Sequence, residues 1–173
     1  MRYQIVLTGV GGQGTIFLVK LLARCALNRG VPFIGTETHG MAQKGGTVIS
    51  YLKIGNFKAP LIGKGQADLL IGLYPTETLR FLDYLKESGS IVTNGDDSFP
   101  ELNSLNVFKI DASKKAIEGE VNPKSLNVFI LGTVLKHVKN FPFSLEEIEK
   151  GIEELNPKFA PVNIEALHKG LNS

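Results

Sequence analysis

The sequence predicts an α/β fold in three layers, with a mainly parallel sheet, helices on both faces and a helical C-terminal segment. Three observations predict it. Short apolar runs alternate with helix-period segments through the first two-thirds of the chain. A glycine-rich turn joins the first such run to the first helix, and the last third is almost wholly helical in pattern.

Tyr3 to Thr8 is a short apolar run that ends in glycines, the signature of a buried strand. From Thr15 to Arg29 the apolar period is helical. Lys20, Arg24 and Asn28 recur every fourth position and leave one narrow wet stripe, so this helix is covered on most sides. Gly30 is its natural stop. Val31 to Gly35 reads as a second strand, and Thr36 to Gly46, dense in glycine and polar groups, as a loop. Thr47 to Ile54 alternates as a strand and turns at Gly55-Asn56.

Asp68 to Leu73 is a further buried strand. Pro75 opens a helix expected to run to about Lys86, with Leu79, Leu82 and Leu85 on one face. Ile91 to Asn94 and Asn106 to Asp111 are expected strands. Asn122-Pro123 opens an apolar helix through Val138. Ser144 and Glu147 form a capping box for the next helix, and a last one covers Asn163 to Lys169. The 173 residues form one domain on this reading.

Composition excludes several classes. Apolar residues make up 43% and charged residues 21%, as in an ordinary globular chain. A net charge of +2, with Lys and Arg scattered, lacks the footprint of a nucleic-acid binder. No apolar run approaches the ~20 residues of a membrane span, and the N-terminus meets glycines too soon for a secretory signal, so no membrane partner and a cytoplasmic location are expected. Cys25 stands alone, which excludes an internal disulfide and an iron–sulfur cluster. His39, His137 and His168 are far apart, and no metal-ligating spacing gathers them.

Gly9-Val10-Gly11-Gly12-Gln13-Gly14 fits G-x-G-x-x-G between a strand and a helix, the setting of a Rossmann-like sheet. Such a turn presents backbone N–H groups and a helix N-terminus to an anion. Two readings stay open, an anionic or nucleotide-like ligand and a tight turn that only packs. A freestanding NAD- or nucleotide-binding module is the alternative function, because Glu37 lies about 20 residues past the motif, where a ribose-binding acid sits. Against it, the second strand leads into a loop and another strand rather than a helix.

Glu37, Thr38, His39, Gly40, Met41, Ala42, Gln43, Lys44, Gly45 and Gly46 gather an acid, an imidazole, an amide, an ammonium and three glycines in one segment. His39 is a candidate acid or base and Lys44 a candidate phosphate or carboxylate ligand. Three glycines cost conformational entropy, so a partner surface or a cofactor has to need the close backbone approach they allow. Cys25 reads as core, Asn127 as a buried amide bonded to backbone, and Asp96-Asp97 as a turn. His137 and His168 read as surface residues near helix C-termini.

These two motifs, in this order and followed by Val48 to Gly55, resemble the gamma subunit or domain of 2-oxoacid:ferredoxin oxidoreductases. The His-Gly-Met-Ala-Gln-Lys-Gly-Gly form is most similar to the small subunit of the indolepyruvate enzyme. The resemblance continues through Asp68 to Gly72, Asn127 to Gly132, and Asn163, Ala166 and Gly170, and so covers nearly the whole chain. It implies a heteromeric enzyme that converts a 2-oxoacid and coenzyme A to acyl-CoA and CO2 and reduces ferredoxin. It implies that thiamine diphosphate and Fe–S clusters belong to a large partner subunit, and that no cofactor is tightly bound here. Coenzyme A becomes a possible shared ligand. Gly9, Gly11, Gly12, Gln13 and Gly14 then become its candidate contact, and Glu37, His39, Gly40, Gln43, Lys44, Gly45 and Gly46 a candidate interface or active-site rim. No catalytic side chain is assigned.

Overall fold

The computed structural model describes residues 1–39 and 45–173, with the backbone alone for 37–39. Its strands are β1 (Tyr3–Val10), β2 (Phe33–His39), β3 (Thr47–Ile54), β4 (Ala67–Gly72), β5 (Leu85–Asn94) and β6 (Asn106–Ile110). Its helices are α1 (Thr15–Arg29), α2 (Pro75–Arg80), α3 (Ala112–Ile117), α4 (Leu126–His137), α5 (Leu145–Leu155) and α6 (Ala160–Leu171), with single 3-10 turns at Leu82–Tyr84 and Pro123–Ser125. The sheet order is β2-β3-β1-β4-β5-β6. β1, β4, β5 and β6 pair in parallel, while β3 runs antiparallel to both β1 and β2. Among the described residues five strands therefore share one direction and β3 is reversed.

Alternation along the strands builds two unequal cores. Ile5 and Leu7 of β1 face α1, α4, α5 and α6 in the large cluster, with Leu52, Leu69, Ile71 and Val92 from neighbouring strands. Val6 points the other way, into a smaller cluster with Tyr51, Leu70 and Ile91 beneath Phe81, Leu82 and Tyr84. Among the described residues the second helical layer is thin, made of α2 and the turn that follows it. α4 is central to the thick layer and buried from Asn127 to Val134, which explains a sequence that is apolar all round.

Two glycines set how close α4 and α6 come. A β-carbon on Gly132 would stand 3.0 Å from Gly170 Cα, and one on Gly170 would stand 3.1 Å from Gly132 Cα. At the other end of the layer the expected capping box is present: Ser144 Oγ accepts from Glu147 N at 3.3 Å, and Glu147 Oε2 accepts from Ser144 N at 2.8 Å.

Three boundaries and one additional helix are the main departures from the sequence reading. β2 continues to His39, because Thr36, Glu37, Thr38 and His39 pair with Tyr51, Ser50, Ile49 and Val48, so the expected loop is shorter at its start. The helix from Pro75 stops at Arg80; Phe81 leaves helical geometry, and Leu82 and Leu85 serve a 3-10 turn and a strand start. β5 consequently begins at Leu85 rather than Ile91. α3 was not expected, yet Asp111 caps it by accepting from Lys114 N at 2.8 Å.

Candidate functional site

The glycine-rich turn sits at the carboxyl end of β1, between β3 on one side and β4 on the other. This is where an open α/β sheet leaves its crevice. Its shape is set by side-chain bonds as well as glycines. Gln13 Oε1 accepts from Val10 N at 2.8 Å, and Gln13 Nε2 donates to Leu73 O at 3.2 Å, tying the turn to the end of β4. A β-carbon on Gly9 would lie 2.7 Å from Gln13 Oε1 and 3.2 Å from Leu73 Cβ, so a side chain there would push the Gln13 amide away from Val10 N. Gly12 and Gly14 hold φ of +92° and +86°, the left-handed region that favours glycine.

The turn spends only some of its donors. Gly11 N donates to Gly46 O at 2.8 Å and Gln13 N to Val10 O at 3.2 Å. Gly12 N and Gly14 N donate to no group among the described residues, and the first turn of α1 adds N–H groups that helix geometry leaves free. No acidic residue lies in that first turn. The arrangement can accept an anion, stabilised by the helix N-terminus.

The second motif meets the first directly. Besides the Gly11–Gly46 bond, Val10 pairs with Thr47, Gly9 with Val48, and Val48 with His39. His39 and Gly9 thus stand in one row across the sheet, separated by β3. Glu37 is in β2, two strands from β1, whereas a dinucleotide fold needs its ribose-binding acid on the strand adjacent to β1. That placement counts against the nucleotide-module alternative. Gly45 and Gly46 close the segment, Gly45 with φ of +96°; Gly40, Gln43 and Lys44 lie outside the described residues, as do the side chains of Glu37 and His39.

Two hollows flank the turn. One, of about 140 Å³, lies at the strand ends and is lined by Gly12, Gln13, Leu73, Asn94, Lys124 and Asn127 among others. The other, of about 420 Å³, opens between α1, α4 and α6 and is lined by Gly14, Phe17, Lys124, Ser125, Asn127, Phe159 and Asn163 among others. Asn127 lines both. Its Nδ2 donates to Gly14 O at 3.1 Å, and its Oδ1 accepts from Val128 N at 2.9 Å, the buried backbone-bonded amide expected of it.

Sequence reasoning missed the rest of this wall. Asn94 Nδ2 donates to Leu73 O at 3.3 Å and to Ser113 Oγ at 2.9 Å, while its Oδ1 accepts from Ala112 N at 3.0 Å. One buried amide therefore joins β4, β5 and α3. Ser125 Oγ donates to Asn163 Oδ1 at 2.8 Å between the Pro123–Ser125 turn and α6. Lys124 is exposed on the shared rim. The sequence signal was available in part, since Asn122-Pro123 marks a helix start and places Lys124 at its first turn.

The other side chains singled out in the sequence are held by their surroundings. Burial pushes the Cys25 thiol up to about 12, with the Glu147 charge adding to the rise, so it has no thiolate character near neutrality. His137 stacks on Phe108 at 4.6 Å between ring centroids, and burial lowers its basicity; it is half-buried rather than a free surface residue. His168 Nε2 lies 2.5 Å from Glu149 Oε1. Asp96 accepts from Ser98 N at 2.8 Å in a turn. No helix among the described residues is long and apolar enough to cross a membrane.

Known proteins share this fold. Residues 4–173 match the family described as pyruvate ferredoxin/flavodoxin oxidoreductase. The chain is 34% identical to the indolepyruvate oxidoreductase subunit IorB of Archaeoglobus fulgidus, over 99% of this chain and 95% of that protein. It is 30% identical to the 2-oxoglutarate synthase subunit KorC of Methanocaldococcus jannaschii, over 91% of this chain and 86% of that one. The fold is that of the keto/oxoacid ferredoxin oxidoreductase gamma subunit from Geobacter sulfurreducens, with a TM-score of 0.79 at 23% identity over 98% of this chain and 96% of that one. It is also the fold of part of the Magnetococcus marinus 2-oxoglutarate:ferredoxin oxidoreductase, whose structure holds 2-oxoglutarate, coenzyme A and succinyl-CoA; the TM-score is 0.79 at 20% identity, over 99% of this chain and 30% of that one. With a match from near its start to its last residue, the chain belongs to the pyruvate ferredoxin/flavodoxin oxidoreductase family.

Proposed function

We propose that this chain is the small subunit of a heteromeric, cytoplasmic 2-oxoacid:ferredoxin oxidoreductase acting on indolepyruvate or a related aryl pyruvate. The complex converts the 2-oxoacid and coenzyme A to acyl-CoA and CO2 and passes electrons to ferredoxin. Thiamine diphosphate and the Fe–S clusters belong to the large subunit, and this chain is inactive alone. The 34% identity to an indolepyruvate oxidoreductase subunit supports the substrate class.

The observation that carries the reading is the Gly11–Gly46 bond, because it joins both glycine-rich motifs at one end of the sheet. Coenzyme A supplies the thiol that accepts the acyl group, and it carries phosphates. Gly9, Gly11, Gly12, Gln13 and Gly14 shape a turn whose unspent N–H groups suit such an anion. Lys124 on the rim adds positive charge without a designated acid beside it. Glu37, His39, Gly40, Gln43, Lys44, Gly45 and Gly46 form the rim toward the large subunit, with Lys44 as a further phosphate ligand. The chain's role is to bind, orient and enclose.

The experiment is reconstitution. The chain is co-expressed with its large partner, and viologen reduction is followed with aryl and aliphatic 2-oxoacids, with and without this chain. Turnover that requires both chains and prefers aryl substrates is expected. Full activity from the large chain alone would reject the subunit role, and a preference for aliphatic acids would reject the substrate class. Lys44→Ala should raise the KM for coenzyme A with little change in kcat.

A further inference from the structure

Phe57 lies between two cations. Arg2 Cζ stands 4.3 Å from its ring centroid and Lys53 Nζ stands 5.1 Å from it. Lys53 belongs to β3, an interior strand, where it faces the thin side of the sheet opposite Gln4 of β1 and Ile34 of β2. Only 6% of the residue is exposed. Burial, and then the Arg2 charge, hold its ammonium below the ordinary lysine range. Inward charges that guard sheet edges sit on edge strands, so that role does not account for Lys53.

The nearby acids are already used. Asp68 pairs with Lys86 and accepts from Gln4 N at 2.8 Å, and Asp83 pairs with Lys64 at 2.8 Å. No carboxylate pairs with Arg2 or Lys53 among the described residues. Two like charges sharing one aromatic ring gain from its π-face but repel each other, and a carboxylate seated beside them turns that repulsion into attraction. The 55–63 segment that carries Phe57 also exposes Leu61, at 59%. An aromatic ring and an arginine are residue types enriched at protein interfaces.

We propose that the Arg2–Phe57–Lys53 cluster, which reaches the surface through Arg2, receives an acidic side chain of the large subunit. The inference rests on the heteromeric reading above but concerns a different place. Arg2 and Gln4 are at the start of β1 and the glycine turn is at its end, about 25 Å away along an eight-residue strand. The interface would then run down the thin face of the sheet, beyond the coenzyme end.

Lys53→Met and Arg2→Gln test this in the purified two-chain complex, with melting of the isolated small chain measured alongside. Association of the wild-type chains establishes the heteromer independently. Each variant should weaken association about tenfold, near 1.4 kcal/mol. The double variant should lose most of the salt dependence of the wild-type Kd, and the isolated variants should melt no lower than wild type. Kd values within about twofold of wild type would overturn this docking role while leaving the heteromer standing. An equal loss of melting temperature in the isolated Lys53→Met chain would assign Lys53 to folding and overturn it too. Stabilisation of the isolated wild-type chain by inorganic phosphate, absent in Lys53→Met, would replace the partner carboxylate with a free anion.

Discussion

Asn127 Nδ2 donates to the Gly14 carbonyl at 3.1 Å, across 113 positions of sequence, and fixes the start of α1 against the start of α4. The same amide forms the wall between the two hollows beside the glycine turn. Asn127→Leu keeps the branching of the side chain and removes both hydrogen bonds, leaving Gly14 O and Val128 N without these partners. The expected cost is about 1–3 kcal/mol, read as a lower denaturation midpoint with an unchanged m-value. In the reconstituted complex the KM for coenzyme A should rise more than kcat falls, because the turn loses its support and the chemistry lies elsewhere. An unchanged midpoint would show that the amide is not structural.

The Gly132–Gly170 contact predicts a second, larger effect. Backbone meets backbone there, so an added side chain cannot be absorbed by rotamer changes alone. Gly132→Val should cost about 3 kcal/mol or more, at or above the upper end for overpacking. Gly170→Val should behave alike, while Gly30→Ala, where an added β-carbon meets nothing, should cost only the strain of a φ of +73°. Thermal melting of the three variants checks the order. Equal losses at all three would mean that α4 and α6 can move apart freely.

Glu147 caps α5 and pairs with Arg29, whose Nε donates to Glu147 Oε1 at 2.7 Å. That bond to Arg29 is the largest cause of a carboxyl held below its ordinary value. A depressed carboxylate contributes stability that is present above its unfolded value near 4.5 and lost as pH falls through the folded one. Half-buried His137, also depressed, adds to the same trend as pH drops below about 6.5, since protonation favours the unfolded chain. Glu147→Gln should therefore destabilise at pH 7 by about 1 kcal/mol and flatten the acid limb between pH 5 and 3. Parallel stability–pH curves for wild type and variant would refute the linkage.

The turn and its helix were legible because each carries its own punctuation, glycines before Thr15 and Gly30 after Arg29. The capping box was legible for the same reason. The end of β2 was not, because Thr36, Glu37 and Thr38 form an edge strand paired on one side only, where no alternating apolar pattern is required. Leu79, Leu82 and Leu85 kept a helical period while serving three different elements. Of the site, sequence reading found the two glycine motifs but not Asn94, Lys124 or Ser125. Those residues come from separate elements, and only the strand order brings them to the turn.

The turn itself offers the sharpest discrimination between gripping a ligand and packing. Gly12 and Gly14 have similar positive φ, yet their surroundings differ. A β-carbon on Gly14 would lie 2.5 Å from Asn127 Nδ2, whereas one on Gly12 meets nothing within 4 Å. Gly14→Ala should damage folding through both strain and collision. Gly12→Ala should cost only the left-handed strain, about 1–2 kcal/mol, and leave the assembled complex intact. If Gly12 is glycine because a phosphate must approach its backbone, this variant should raise the KM for coenzyme A about tenfold or more, with the KM for the 2-oxoacid unchanged. An unchanged KM in a folded Gly12→Ala complex would mean that the turn only packs, and would remove the coenzyme from this end of the sheet.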